Sequence, residues 1–184
     1  MDWMNQLSGV LQQYTGTGTA PARTNVEDDF DQIAQSAPQS ELAGGLAAAF
    51  RSDETPDFGQ MAAHLFSNSN GQERAGILNK LISAAGPMIL AQVLSRRTGS
   101  DSGGGLSGLI EMLTSGQQTQ ITPEQAEQIP ADAVQEIATQ VEKKDPSIID
   151  HVSNFYAEHP TLVKTLGAAA LGIALSQIAN RQQG

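Results

Sequence analysis

Residues 160–183 read PTLVKTLGAAALGIALSQIANRQQ, and no charged side chain occurs between Lys164 and Arg181. Leu162, Leu166, Ala169 and Ile173 share one helical face. Val163, Ala170, Ala174 and Ile178 share the next, and Leu171 and Leu175 make a third. A helix that is apolar nearly all round is either the buried centre of a helical domain or a membrane segment. Length favours the first. The uncharged run 165–180 makes about 24 Å of helix, short of a hydrocarbon core about 30 Å thick. Its middle, GAAALG, is small rather than strongly apolar. The expectation is a buried central helix, with Ala168/Gly172 and Ala170/Ala174 as one-turn pairs of small residues that let another backbone come close.

Immediately upstream, helix starts are written in proline. Thr122-Pro123-Glu124-Gln125 is a capping box with proline at the first helical position. Pro130 opens a helix carrying Ala133, Val134, Ile137, Ala138 and Val141. Asp145-Pro146 caps the next, with Ile148, Ile149, Val152, Phe155 and Tyr156 inward, and Pro160 opens the terminal one. Gaps of a few residues between elements fold successive helices sharply onto each other. Phe155 and Tyr156 are therefore expected to lie against the terminal helix.

Residues 25–97 show the same helical punctuation. Asn25 caps a helix with Val26, Phe30, Ile33 and Ala34 on one side. Glu27, Asp28, Asp29 and Asp31 crowd its positive N-terminal end, where a solvated acidic turn needs no ligand. Pro38 stops that helix. Leu42, Leu46, Ala49 and Phe50 make the next stripe, and Gly44–Gly45 either permits close approach or interrupts it. Thr55-Pro56 signals a start ahead of Phe58, Met61, Ala62, Leu65 and Phe66. Asn70-Gly-Gln-Glu73 resembles a capping box, before Ile77, Leu78, Leu81 and Ile82. Gly86-Pro87 breaks the chain, and a second apolar run ends in Arg96 and Arg97, a pair suited to a helix C-terminus.

Residues 98–105, TGSDSGGG, form the clearest internal boundary. They lack the Gly-Lys-Ser/Thr ending of a phosphate-binding loop and the preceding strand of a dinucleotide fingerprint, so a linker is expected. No run of alternating β-branched and polar residues appears anywhere. The fold class expected is all-α, a multi-helix bundle of short capped helices around the Ala/Gly-rich C-terminal helix. Its expected parts are an amphipathic helix with tether over 1–24, an N-terminal helical lobe over 25–97, the linker 98–105 and a C-terminal helical lobe over 106–184. GGGLSGLIEML, through Gly103, Gly104, Gly105, Leu106, Gly108 and Leu109 and the Thr-Pro-Glu-Gln helix start that follows, resembles the YidB-like bacterial proteins of unknown function. That resemblance implies a bacterial, helical protein and carries no activity.

The 184 residues suffice for one sizeable core or two small ones, and 39% of them are hydrophobic while only 4% are aromatic. Such a core rests on close helix contacts rather than large rings. A formal net charge of −10 opposes phosphate backbones and anionic lipid, so nucleic-acid binding is not expected. The absence of cysteine excludes disulfides, zinc–thiolate sites, iron–sulfur clusters and cysteine nucleophiles.

His64, His151 and His159 belong to no HExxH motif, and no Glu precedes a His by three residues, which excludes the di-iron signature of helical bundles. There is no nucleophile elbow and no Ser-x-x-Lys. No catalytic, metal-binding or cofactor-binding residue is assigned, and a non-catalytic protein is expected. The N-terminal MDWMN has neither a basic region nor an apolar run, so no cleavable signal is expected and the cytoplasm is the expected location.

The candidate binding residues lie at the other end of the chain. Trp3, Leu7, Val10, Leu11 and Tyr14 recur at helical spacing among polar residues, followed by the tether TGTGTAPART. This stripe either folds back on its own core or docks into a second copy or another protein. Self-association or a protein partner is expected. The alternative is a membrane-associated or apolar-ligand-binding protein that uses the C-terminal helix.

Overall fold

A computed structural model describes residue 9 and residues 26–97, 104–117 and 120–183. Among these residues the chain is all-α, with no strand. In chain order the helices are α1 (Val26–Ser36), α2 (Gln39–Phe50), α3 (Phe58–Asn68), α4 (Gly71–Ala85) and α5 (Pro87–Arg97). Then come α6 (Gly104–Thr114), α7 (Pro123–Glu127), α8 (Ala131–Lys144), α9 (Ile148–Ala157), α10 (Pro160–Val163), a 3-10 turn (Lys164–Leu166) and α11 (Ala168–Gln183). The described residues fall into two compact units. One comprises those up to Asp57 together with those from Ser153 onward, and the other runs from Phe58 to Val152.

These units are cut differently from the lobes expected at 25–97 and 106–184. The cause is packing at long sequence separation. Helix α11 returns to α2 and α1, while α5 and α6, on either side of the Gly/Ser-rich stretch, pack on each other within the second unit.

In the first unit the C-terminal stretch is central, as its composition implies, but it is not one helix. Gly167 adopts φ +88°, in a region that side chains resist, and the pieces before and after it meet at 119°. After the break α11 buries Ala170, Leu171, Ala174, Leu175, Ile178 and Ala179. Its main neighbour is α2, which runs uninterrupted through Gly44–Gly45. The glycines there serve close approach. A Cβ on Gly45 would lie 2.7 Å from the Ala174 carbonyl oxygen and 2.9 Å from Ile178 Cγ1, and one on Gly44 would collide with the Arg181 guanidinium. Ala49, Ala170 and Ala174 form the seam, with Leu166 and Ile173 half-buried against it. Of the small pairs read from the sequence, Ala170/Ala174 faces this contact. Gly172 does not, since a Cβ there would meet nothing within 4 Å.

Helix α1 buries Val26, Phe30 and Ile33 and also packs on α11. Asp31 on its flank accepts a hydrogen bond from Lys164 Nζ at 2.7 Å, tying the 3-10 turn to it. The residues at the end of α9 correct one expectation. Tyr156 is fully buried, but Phe155 is only half-buried, with its ring edge-on to Tyr156 and 5.0 Å from that of His159. Adjacent helical positions point about 100° apart, and here the direction of Tyr156 is the one that is fully covered.

In the second unit α3 lies along α8, and α4 packs on α7, α8 and α5. Gly59 makes the first of these contacts possible, because a Cβ there would collide with Thr139 and lie 2.8 Å from the Gln135 carbonyl oxygen. Both capping boxes read from the sequence form. Asn70 Oδ1 accepts from the Glu73 amide while Glu73 Oε2 accepts from the Asn70 amide, and Thr122 and Gln125 make the same reciprocal pair. Thr55 does not cap α3. Its hydroxyl donates to the carbonyls of Ala49 at 2.6 Å and Ser52 at 3.0 Å, closing the end of α2 instead.

Candidate interaction surface

Trp3, Leu7, Val10, Leu11 and Tyr14 lie outside the described residues. Gly9, in their midst, is described: it is helical and exposed, and an added Cβ would meet nothing within 4 Å. At about 100° per residue, position 9 falls roughly 140° from the centre of the five-residue stripe, on the opposite face.

Among the described residues, exposed apolar surface is sparse. Met88, at the start of α5, is 61% exposed, the one exposed large hydrophobic among the described residues. On α6, Leu109 and Leu113 are buried, while Leu106, Ile110 and Met112 are half-buried. No single described helix is long and apolar enough to cross a membrane. Two bent pairs, α4 with α5 at 113° and the segments flanking Gly167 at 119°, match a span by joint length and composition alone. Within the second pair, Ala170, Leu171, Ala174, Leu175, Ile178 and Ala179 of α11 are buried, half of the pair's apolar residues.

Several titratable side chains among the described residues have partners close by. Hydrogen bonding from Lys164 to Asp31, reinforced by Asp31, Glu27 and Asp28 as nearby negative charges, holds the Lys164 ammonium above the usual lysine range. The acidic first turn of α1 therefore has its cation within the chain. Asp145 Oδ1 accepts from the hydroxyl of Ser147 at 2.6 Å and its amide at 3.1 Å, which with His151 nearby draws its carboxyl below the usual range. Glu124 is lowered by its own backbone amide and the Thr122 hydroxyl.

Arg97 pairs with Glu136 at 3.3 Å and Asp132 at 3.8 Å, and Arg96 with Glu136 at 3.6 Å, so the basic end of α5 is matched by α8. His64 and His151 are exposed, and the His159 ring lies beside that of Phe155, tilted by 49°. Among the described residues, no three His, Asp or Glu side chains converge as a metal site would require.

Several polar side chains that carry no motif turn out to close helix ends. Arg74 donates through Nε to the carbonyls of Phe66 and Ser69 and through Nη2 to Ser67, all at 3.0 Å, with its guanidinium 5.1 Å from the Phe66 ring centre. Asn79 uses both ends of its amide on Ile121: Nδ2 donates to the carbonyl at 3.1 Å and Oδ1 accepts from the amide at 2.7 Å. Lys144 Nζ donates to the Ala85 carbonyl. Partners 42 and 59 positions apart leave no trace in local spacing. No protein-family model, curated protein or solved structure matches this chain.

Proposed function

We propose that the chain is a non-catalytic helical interaction or self-assembly protein whose N-terminal segment acts as a docking arm through Trp3, Leu7, Val10, Leu11 and Tyr14. The observation that carries this reading is the amphipathic pattern of residues 2–14, supported by the helical, solvent-facing Gly9 on its polar side. A helix of about 13 residues is marginal alone in water, so its apolar stripe needs a surface to cover it. The tether from Thr15 to Thr24 spans roughly 30 Å if extended, enough to reach a neighbouring copy. Exchange of identical arms then makes an oligomer with little new surface.

The test is the mass in solution, by light scattering, of the full-length chain, a chain lacking residues 1–20, and Trp3→Ala. Self-assembly expects an oligomeric full-length protein and a shift towards monomer in both variants. A full-length protein that stays monomeric at high concentration refutes self-assembly. Capture of a defined partner by the immobilised 1–20 peptide would then support docking to another protein. Membrane association through the C-terminal helix is the alternative, and it requires α11 to leave α2. Partition into lipid vesicles by the chain lacking residues 1–20 would favour it.

A further inference from the structure

We propose that Asn70 is a site of spontaneous backbone-assisted deamidation, gated by the capping box that starts α4. The chain has one Asn-Gly pair, Asn70-Gly71, and Asn70 is exposed. Glycine places no side chain beside its own amide nitrogen, so that nitrogen can reach the preceding asparagine carboxamide with less hindrance than in any other Asn-X pair. In the reaction the Gly71 nitrogen, losing its proton, bonds to Asn70 Cγ. The Cγ–Nδ2 bond breaks, ammonia leaves with that proton, and a succinimide ring remains. Water then opens the ring. Cleavage at N–Cγ gives aspartate, and cleavage at the main-chain carbonyl gives isoaspartate, with the backbone rerouted through Cβ.

The folded geometry opposes the first step. Asn70 sits at φ −75° and ψ 171°, its Oδ1 accepts from the Glu73 amide at 3.0 Å, and its own amide donates to Glu73 Oε2 at 2.8 Å. Attack requires the carboxamide to swing off Glu73 and back over the Gly71 nitrogen, which breaks the cap. The rate therefore follows fraying of the first turn of α4. The products differ in consequence. Aspartate is as good an N-cap as asparagine. It would nonetheless join a crowded acidic corner, since a Cβ on Gly71 would lie 2.8 Å from Glu127 Oε1, and the Glu73 carboxylate is also in the box. Isoaspartate lengthens the main chain at the cap and undoes the box, at the end of α4 that meets α7.

The experiment ages the full-length protein at mildly alkaline pH and follows the tryptic peptide 52–74 by tandem mass spectrometry. Replacement of the carboxamide by a carboxyl group is read at Asn70 against Asn68 in the same peptide. Three samples are compared: native wild type, wild type in denaturant, and native Glu73→Ala with helix content checked by circular dichroism. Asn70→Ser keeps a cap and must abolish the signal. The expected order is denatured fastest, Glu73→Ala intermediate and wild type slowest. Loss of one cap bond should speed the native reaction about fivefold. Equal rates in native and denatured wild type overturn the gate, as does a Glu73→Ala rate equal to wild type. A signal centred on Asn68 overturns the site.

Discussion

Gly45 and Gly172 lie on opposite sides of the same packing problem. At Gly45 there is no room for a methyl group, because the Ala174 carbonyl and Ile178 are already in contact range. At Gly172 there is open space. Gly45→Ala should destabilise the protein by about 1–3 kcal/mol through overpacking, as should Ala170→Leu at the same seam. Gly172→Ala should stabilise it by about 0.5–1 kcal/mol through reduced chain entropy. Urea midpoints with an unchanged slope would check both signs.

Charge follows the same local logic. Lys164 has its folded pKa raised, so its contribution is complete below the usual lysine range and is lost as pH rises through the folded value, above about 10.5. Asp145 and Glu124 have theirs lowered, so their contributions hold above the usual carboxylate range and are lost as pH falls below about 4. Asp145→Asn should soften the acid limb alone and Lys164→Met the alkaline limb alone.

Among the elements, α3 shows how a helix end is finished by a residue from the next helix. Its last carbonyls have no partners within α3. Arg74, four residues into α4, makes three hydrogen bonds, with Nε shared between Phe66 and Ser69 and Nη2 on Ser67, and covers the Phe66 ring. Arg74→Ala should cost about 1.5–3 kcal/mol, the range for hydrogen bonds from a charged donor. Arg74→Lys should recover less than half of that, because an ammonium lacks the planar fork that reaches several carbonyls at once. Equal midpoints for Arg74→Lys and wild type would show that charge, and not the fork, is what matters.

At the scale of the molecule, the two compact units differ in how the chain supplies them. The unit from Phe58 to Val152 is continuous, with its own capping boxes, its own α3–α8 and α5–α6 contacts and its own closed helix ends. The other unit needs both ends of the chain, because α11 packs on α2 and α1. A fragment 58–152 should therefore be helical and melt cooperatively, with a stability of a few kcal/mol. The fragment 1–57 alone should not, since it leaves the face of α2 around Gly45 and Ala49 without α11. Circular dichroism of the two fragments, separately and mixed with 153–184, checks this.

What the sequence determined by itself was what acts within about one turn of helix: the all-α class, the capping boxes at Asn70 and Thr122, the periodic core faces and the burial of the Ala/Gly-rich end. It also pointed to the stripe Trp3, Leu7, Val10, Leu11 and Tyr14, where the described structure reaches only Gly9. Only the tertiary structure decided what each ambiguous residue was for. Gly44–Gly45 read equally as a break or a contact until α11 came to lie on it. Gly167 became the break instead, because the chain had to turn there to bring α11 back to α2. Thr55 carried a helix-start signal but found the end of α2 closer. Propensity and spacing are local properties, whereas a glycine's use and a hydroxyl's partner depend on which segments meet. For Gly44–Gly45 that is set by α11, more than a hundred positions away, and for Thr55 by the turn that brings it back to Ala49 and Ser52.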